Sequence, residues 1–159
     1  MRNGRSKIAA IAAAALAAGG LGAALGLTPS ANAATAKPLT YVVLNCNLKP
    51  AVEPSSYVLA CADDGMGLEA AHWTSWTSHL ASAYGTFYEN TCTPNCADGK
   101  INHYRALVTL YDLAAVKGHP SDRQYVEMTV IFPSTRPPVY VQENGKVVKT
   151  FPLTQTFQI

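Results

Sequence analysis

The chain has 159 residues, with 12 Lys and Arg against 10 Asp and Glu and a formal net charge of +2. That length holds one domain with a modest core. The charge is too balanced to mark a nucleic-acid or anionic-membrane surface, and Arg2, Arg5 and Lys7 at the very start supply all of the excess.

Met1–Lys7 is basic and lacks an acid, Ile8–Leu27 is rich in Ala, Gly and Leu, and Ala31-Asn-Ala33 is a small-x-small site. This order predicts a Sec-type signal peptide over residues 1–33, cleaved after Ala33. A retained anchor competes, because the apolar stretch nearly reaches spanning length. Gly19, Gly20, Gly22, Gly26 and Pro29 weigh against a stable spanning helix. There is no Arg-Arg pair for twin-arginine export. Asn45 before Cys46, well past the apolar stretch, does not suit lipidation. Subtracting residues 1–33 from 159 leaves 126, with nine basic against 10 acidic side chains. No nucleic-acid partner is expected, and no membrane partner after cleavage.

Residues 34–40 read as a flexible leader and 41–159 as a single domain. Tyr41–Leu44, Tyr57–Ala60 and Tyr104–Tyr111 are short runs of β-formers. In Tyr125–Phe132, alternation puts Val126, Met128, Val130 and Phe132 on one face and Glu127 and Thr129 on the other. Pro137-Pro138 interrupts the chain. Asn144-Gly145, between Val139–Glu143 and Lys146–Phe151, is the strongest short hairpin signal. Leu68–Trp73 and Ser78–Ala83 are helix candidates of a turn or two, without length or caps. Leu153–Ile159 is open between a final strand and a loose end. About seven or eight short strands predict an all-β fold, a small antiparallel β-sandwich (Ig-like) or barrel.

Cys46, Cys61, Cys92 and Cys96 are an even set behind an export signal, which favours disulfides and an oxidising compartment. Thr93-Pro-Asn95 makes a tight turn that brings Cys92 to Cys96, leaving Cys46 for Cys61, a bridge expected to tie two adjacent strands. Zinc is the rival use of these sulfurs with His72, His79, His103 and His119, but no C-x-x-C or His/Cys alternation is present. The same gap counts against a redox role.

Leu59-Ala-Cys-Ala-Asp63, Trp73-x-x-Trp76, Gly85-Thr86 and Cys92-Thr-Pro-Asn-Cys-Ala-Asp-Gly99 together resemble a group of small secreted actinobacterial (Streptomyces-like) proteins. These share the pattern L-x-C-A-D…W-x-x-W…G-T…C-x-P-x-C-A-x-G, and the resemblance covers roughly residues 57–133. It implies a secreted compartment and a disulfide-bonded architecture, and brings no activity with it.

Trp73, Trp76, Tyr84 and Tyr88 are the candidate binding residues, since exposed rings form platforms for sugar faces or protein partners. The structural alternative packs an indole on the core, with Trp76 preferred; the three-residue spacing predicts the two indoles on opposite faces of a strand. Asp63-Asp64-Gly65 is a calcium candidate without further acids at the required spacing, and an Asp beside Gly is more often a turn. Ser75, Ser78 and His79 lie close in sequence without a G-x-S-x-G elbow, and the acids are scattered. No catalytic residue, metal ligand or cofactor is assigned. The expectation is a non-catalytic binding or structural protein outside the cell, with cell-wall polysaccharide or an extracellular protein as partner. One alternative is a protease inhibitor presenting Thr91–Gly99 or Gly118–Arg123, and another a hydrolase whose site carries no recognisable motif.

Overall fold

Ten strands make up the regular structure of residues 37–159, the part of the chain that the computed structural model describes; these residues contain no helix. The signal peptide and its cleavage site lie outside the described residues. The strands are β1 (Thr40–Leu44), β2 (Pro50–Ala51), β3 (Tyr57–Val58), β4 (Met66–Trp76), β5 (Ala81–Asn90), β6 (Ile101–Val116), β7 (His119–Ile131), β8 (Val139–Glu143), β9 (Lys146–Thr150) and β10 (Thr154–Gln158).

The all-β expectation is met. Eight strands form one curled sheet in the order β2-β1-β7-β6-β5-β4-β3, with β10 also paired to β7, while β8 and β9 form a separate hairpin. The sheet is mixed rather than purely antiparallel because β1 runs parallel to β7, Tyr41 lying opposite Arg123. A parallel pair needs a long crossover, and here strands β2 to β6 supply it. β1 and β10 share one edge of β7: β1 takes Asp122 to Gln124, and β10 takes Glu127 to Ile131. The C-terminal residues are therefore a final strand, with Phe157 and Ile159 packed against the core.

Alternation builds most of the core. Tyr104, Ala106, Val108 and Leu110 of β6 face Met128, Val130 and Phe132 of the β7 segment on the concave side. One position departs from the simple pattern: Tyr125 is fully buried, whereas Val126 is only half-buried. Asp112 takes a left-handed φ of 53° between the pairs Tyr111–Glu127 and Leu113–Tyr125, and beyond it Leu113 and Tyr125 turn inward. The Tyr125 hydroxyl donates to the Thr77 carbonyl, which satisfies the one polar atom of that ring.

The two helix candidates are strand instead, within β4 and β5. Their small residues have a packing reason: Ala81 and Ala83 are buried opposite Trp76 and Trp73, leaving room for the indoles. β4 carries two extra residues relative to β5. Ala70 and Ala71 together oppose Gly85, with Ala70 at φ 48°, and Thr74 has no partner between the pairs Trp73–Ala83 and Ser75–Ser82. A bulge of this kind shifts the alternation by one residue. Gly85 lies close against the first, where an added Cβ would stand 3.0 Å from Ala70 O, Ala71 Cα and Glu69 O.

Both disulfides pair as expected, Cys46–Cys61 and Cys92–Cys96. The first does not tie adjacent strands. Cys46 follows β1 and Cys61 follows β3, which lie toward opposite ends of the strand order. The sheet curls until these ends meet, and hydrogen bonds reinforce the closure: Trp76 Nε1 donates to Tyr41 O at 2.7 Å and the Tyr57 hydroxyl to Leu44 O at 3.0 Å. The predicted hairpin forms β8 and β9, with Asn144 and Gly145 at φ 50° and 77°.

Candidate functional site: the outer face of the sheet

The four candidate rings divide between the two faces of the sheet. Trp73 and Trp76 both point inward, against the expectation of opposite faces, because the extra residue Thr74 converts their three-residue spacing into an even one. Their rings meet edge to face with centroids 4.6 Å apart, and Trp76 meets Tyr125 in the same way at 5.2 Å. Trp73 Nε1 donates to Pro54 O at 2.9 Å, so both indole N–H groups are spent on backbone carbonyls. These rings hold the fold together.

Tyr84 and Tyr88 project from β5 to the outer face, where Tyr84 is 52% exposed. Tyr88 is half-buried in the space left by Gly67, whose added Cβ would lie 2.7 Å from the Tyr88 hydroxyl. Burial is the main cause that pushes the Tyr88 phenol above its ordinary range, with the Asp64 and Glu69 carboxylates adding to it.

Strand register places Tyr84 in a transverse row. His72 of β4, Tyr84 of β5, Leu107 of β6 and Ile131 of β7 are successive cross-strand partners, and all four are exposed. The His72 and Tyr84 rings stack with centroids 5.2 Å apart and an interplanar angle of 24°. A second row beside it is made of hydroxyls: Ser82, Thr109, Thr129 and Thr156 lie on adjacent strands. Thr129 bonds both Tyr111 and Thr156, each at 3.1 Å. On the other flank Arg105 and Thr86 line a shallow depression of about 390 Å³ with Tyr84, Leu107 and Pro133. Beyond it His103 Nε2 lies 3.2 Å from Glu69 Oε1. Sequence reasoning found Tyr84 but not His72, Leu107 or the hydroxyl row. Strand alternation carries their outward direction, but their alignment depends on inter-strand register.

The remaining candidates are placed as follows. Ser75 is half-buried in β4, and Ser78 and His79 are exposed in the turn before β5. Among the described residues no hydrogen bond joins a hydroxyl to a histidine ring, and no polar or charged residue is fully buried. Asp63 Oδ1 accepts from Gly65 N at 3.0 Å, an Asx turn. Asp63 also lies near Cys92 and Cys96, whose sulfurs are spent in the disulfide and so are not thiolate ligands. Thr91–Gly99 is curled on itself: Asn90 accepts from Cys92 N at 2.9 Å and donates to Cys96 O at 2.7 Å. Gly118 turns the chain, but 119–123 lie inside β7 rather than in a projecting loop. Neither segment presents a free extended strand to a protease cleft.

The two bridges indicate an oxidising environment. No helix of the described residues is long and apolar enough to cross a membrane. No protein-family model, curated protein or solved structure matches this chain.

Proposed function

We propose that the chain is exported, cleaved after Ala33, and acts outside the cell as a non-catalytic binding protein that holds a cell-wall polysaccharide against its outer sheet face. The observation that carries this reading is the exposed row His72–Tyr84–Leu107–Ile131 beside the hydroxyl row Ser82–Thr109–Thr129–Thr156. An exposed aromatic and apolar strip offers contact to the C–H face of a sugar ring, while hydroxyls, Arg105 and Glu69 meet its rim. The preorganisation is cheap in entropy: these side chains are short or ring-shaped and stand on a rigid sheet. The disulfides suit an extracellular setting, and the resemblance to small secreted actinobacterial proteins points the same way.

The test is retention of the purified mature protein on insoluble cell wall and on chitin, compared with Tyr84→Ala. Retention falling by about tenfold in the variant, with an unchanged melting curve, is the expected result. If neither matrix retains the native protein, or the variant binds equally well, the outer face is not the site.

A further inference from the structure

A second cleft lies between the β8–β9 hairpin and the loop closed by Cys92–Cys96. It measures about 490 Å³ and is lined by Glu89, Thr93, Lys100, Asn102, Tyr140 and Lys149, among others. We infer that this cleft is an anion-selective saccharide site, in which Tyr140 stacks on a sugar ring and Lys100 and Lys149 hold an anionic group on that sugar.

Three observations converge on this chemistry. Tyr140 is 64% exposed on a hairpin whose register fixes it opposite Lys149. The Lys149 ammonium is steered by rings, lying 5.9 Å from the Tyr140 centroid and 5.3 Å from that of Phe151. Among the described residues neither Lys100 nor Lys149 reaches a carboxylate in an ion pair, so both charges are available to a ligand. The one carboxylate in the cleft, Glu89, accepts from the Tyr104 hydroxyl at 3.3 Å and makes no ion pair with either lysine. Asn102 adds an amide for sugar hydroxyls. Lysines act as point charges and do not select between carboxylate and phosphate, so uronic-acid and sugar-phosphate polymers share the required chemistry. The site is independent of the outer-face reading, since none of its residues lies in either row.

The experiment is an amide NMR titration of the mature protein with three probes: tetragalacturonate, an oligo(N-acetylglucosamine 1-phosphate), and neutral chitotetraose. Saturable shifts at Tyr140, Lys149 and Lys100 with at least one anionic probe are expected, and the probe that gives them identifies the source of the anion. Affinity should fall by about tenfold or more in K100Q/K149Q, and should weaken as salt is raised. Y140A, an exposed change on the hairpin, should weaken binding as well, whereas Tyr84→Ala should leave it intact. Silence of both anionic probes, equal binding of chitotetraose in this cleft, or full affinity in the double variant would each overturn the inference.

Discussion

Trp73 and Trp76 stack edge to face on one side of β4, although they stand three positions apart, because Thr74 is an extra residue with no partner on β5. In a regular strand that spacing places two side chains on opposite faces. The bulge therefore decides that both indoles serve the core and neither serves the surface.

Deleting Thr74 restores strict alternation and is expected to drive one indole outward. The loss should exceed that of Thr74→Ala, whose side chain is exposed. Trp76→Ala removes a ring packed on Trp73 and Tyr125 together with the bond to Tyr41 O, and should cost about 3 kcal/mol or more. Urea unfolding followed by circular dichroism measures both. A Trp76→Ala loss below about 1 kcal/mol would contradict the core assignment.

Gly85→Ala tests the neighbouring bulge. The three atoms nearest the added methyl are backbone of Glu69, Ala70 and Ala71, which cannot swing away as a side-chain tip can. A loss of about 1–3 kcal/mol in denaturant titration is expected, and a neutral outcome would mean that β4 relaxes freely there.

The two bridges should differ in worth. Loop closure favours Cys46–Cys61, with a separation of 15, at about 3 kcal/mol, over Cys92–Cys96, with a separation of 4, at about 2 kcal/mol. Paired Cys→Ala variants, compared by melting, should rank in that order. An intact mass about 4 Da below that of the reduced chain checks that both bridges form.

Glu89 supplies a pH dependence. Its folded pKa is raised by burial, so the native state holds its proton more tightly than the unfolded chain does. Stability from this group is therefore greatest below its ordinary range and declines as pH rises through the raised folded value. Glu89→Gln keeps an acceptor for the Tyr104 hydroxyl and removes the half-buried carboxylate. The variant should match or exceed the native protein in stability at pH 7 and lose that advantage at about pH 4. Paired urea curves at the two pH values report the crossover, and an advantage at the lower pH alone would reverse the sign.

What the sequence made legible was whatever depends on neighbours in the chain. The Asn144-Gly145 turn, the Tyr104–Tyr111 strand and the local Cys92–Cys96 ring follow from short-range sterics and alternation. β4 and β5 did not read as strands because Ala, Ser and Gly predominate where the indoles and the bulge need space. The left-handed residues Ala70 and Asp112 break period two without any glycine to announce them. The parallel seating of β1 on β7 and the alignment of His72 with Tyr84, Leu107 and Ile131 depend on partners distant in sequence. Tyr84 was legible as a candidate ring, while its setting was not.

The strands that end the main sheet, β2 and β3, are two residues each, and Cys46–Cys61 fastens the segments that carry them to one another. A long bare edge invites another chain to add to it and seeds aggregation. Here β2 covers only Val43 and Leu44 of β1, and β3 only Gly67 and Leu68 of β4, so the clasp and the bonds from Trp76 to Tyr41 and from Tyr57 to Leu44 cover part of what the short strands leave open. The clasp therefore also works against the addition of a second chain at the seam where the two margins meet.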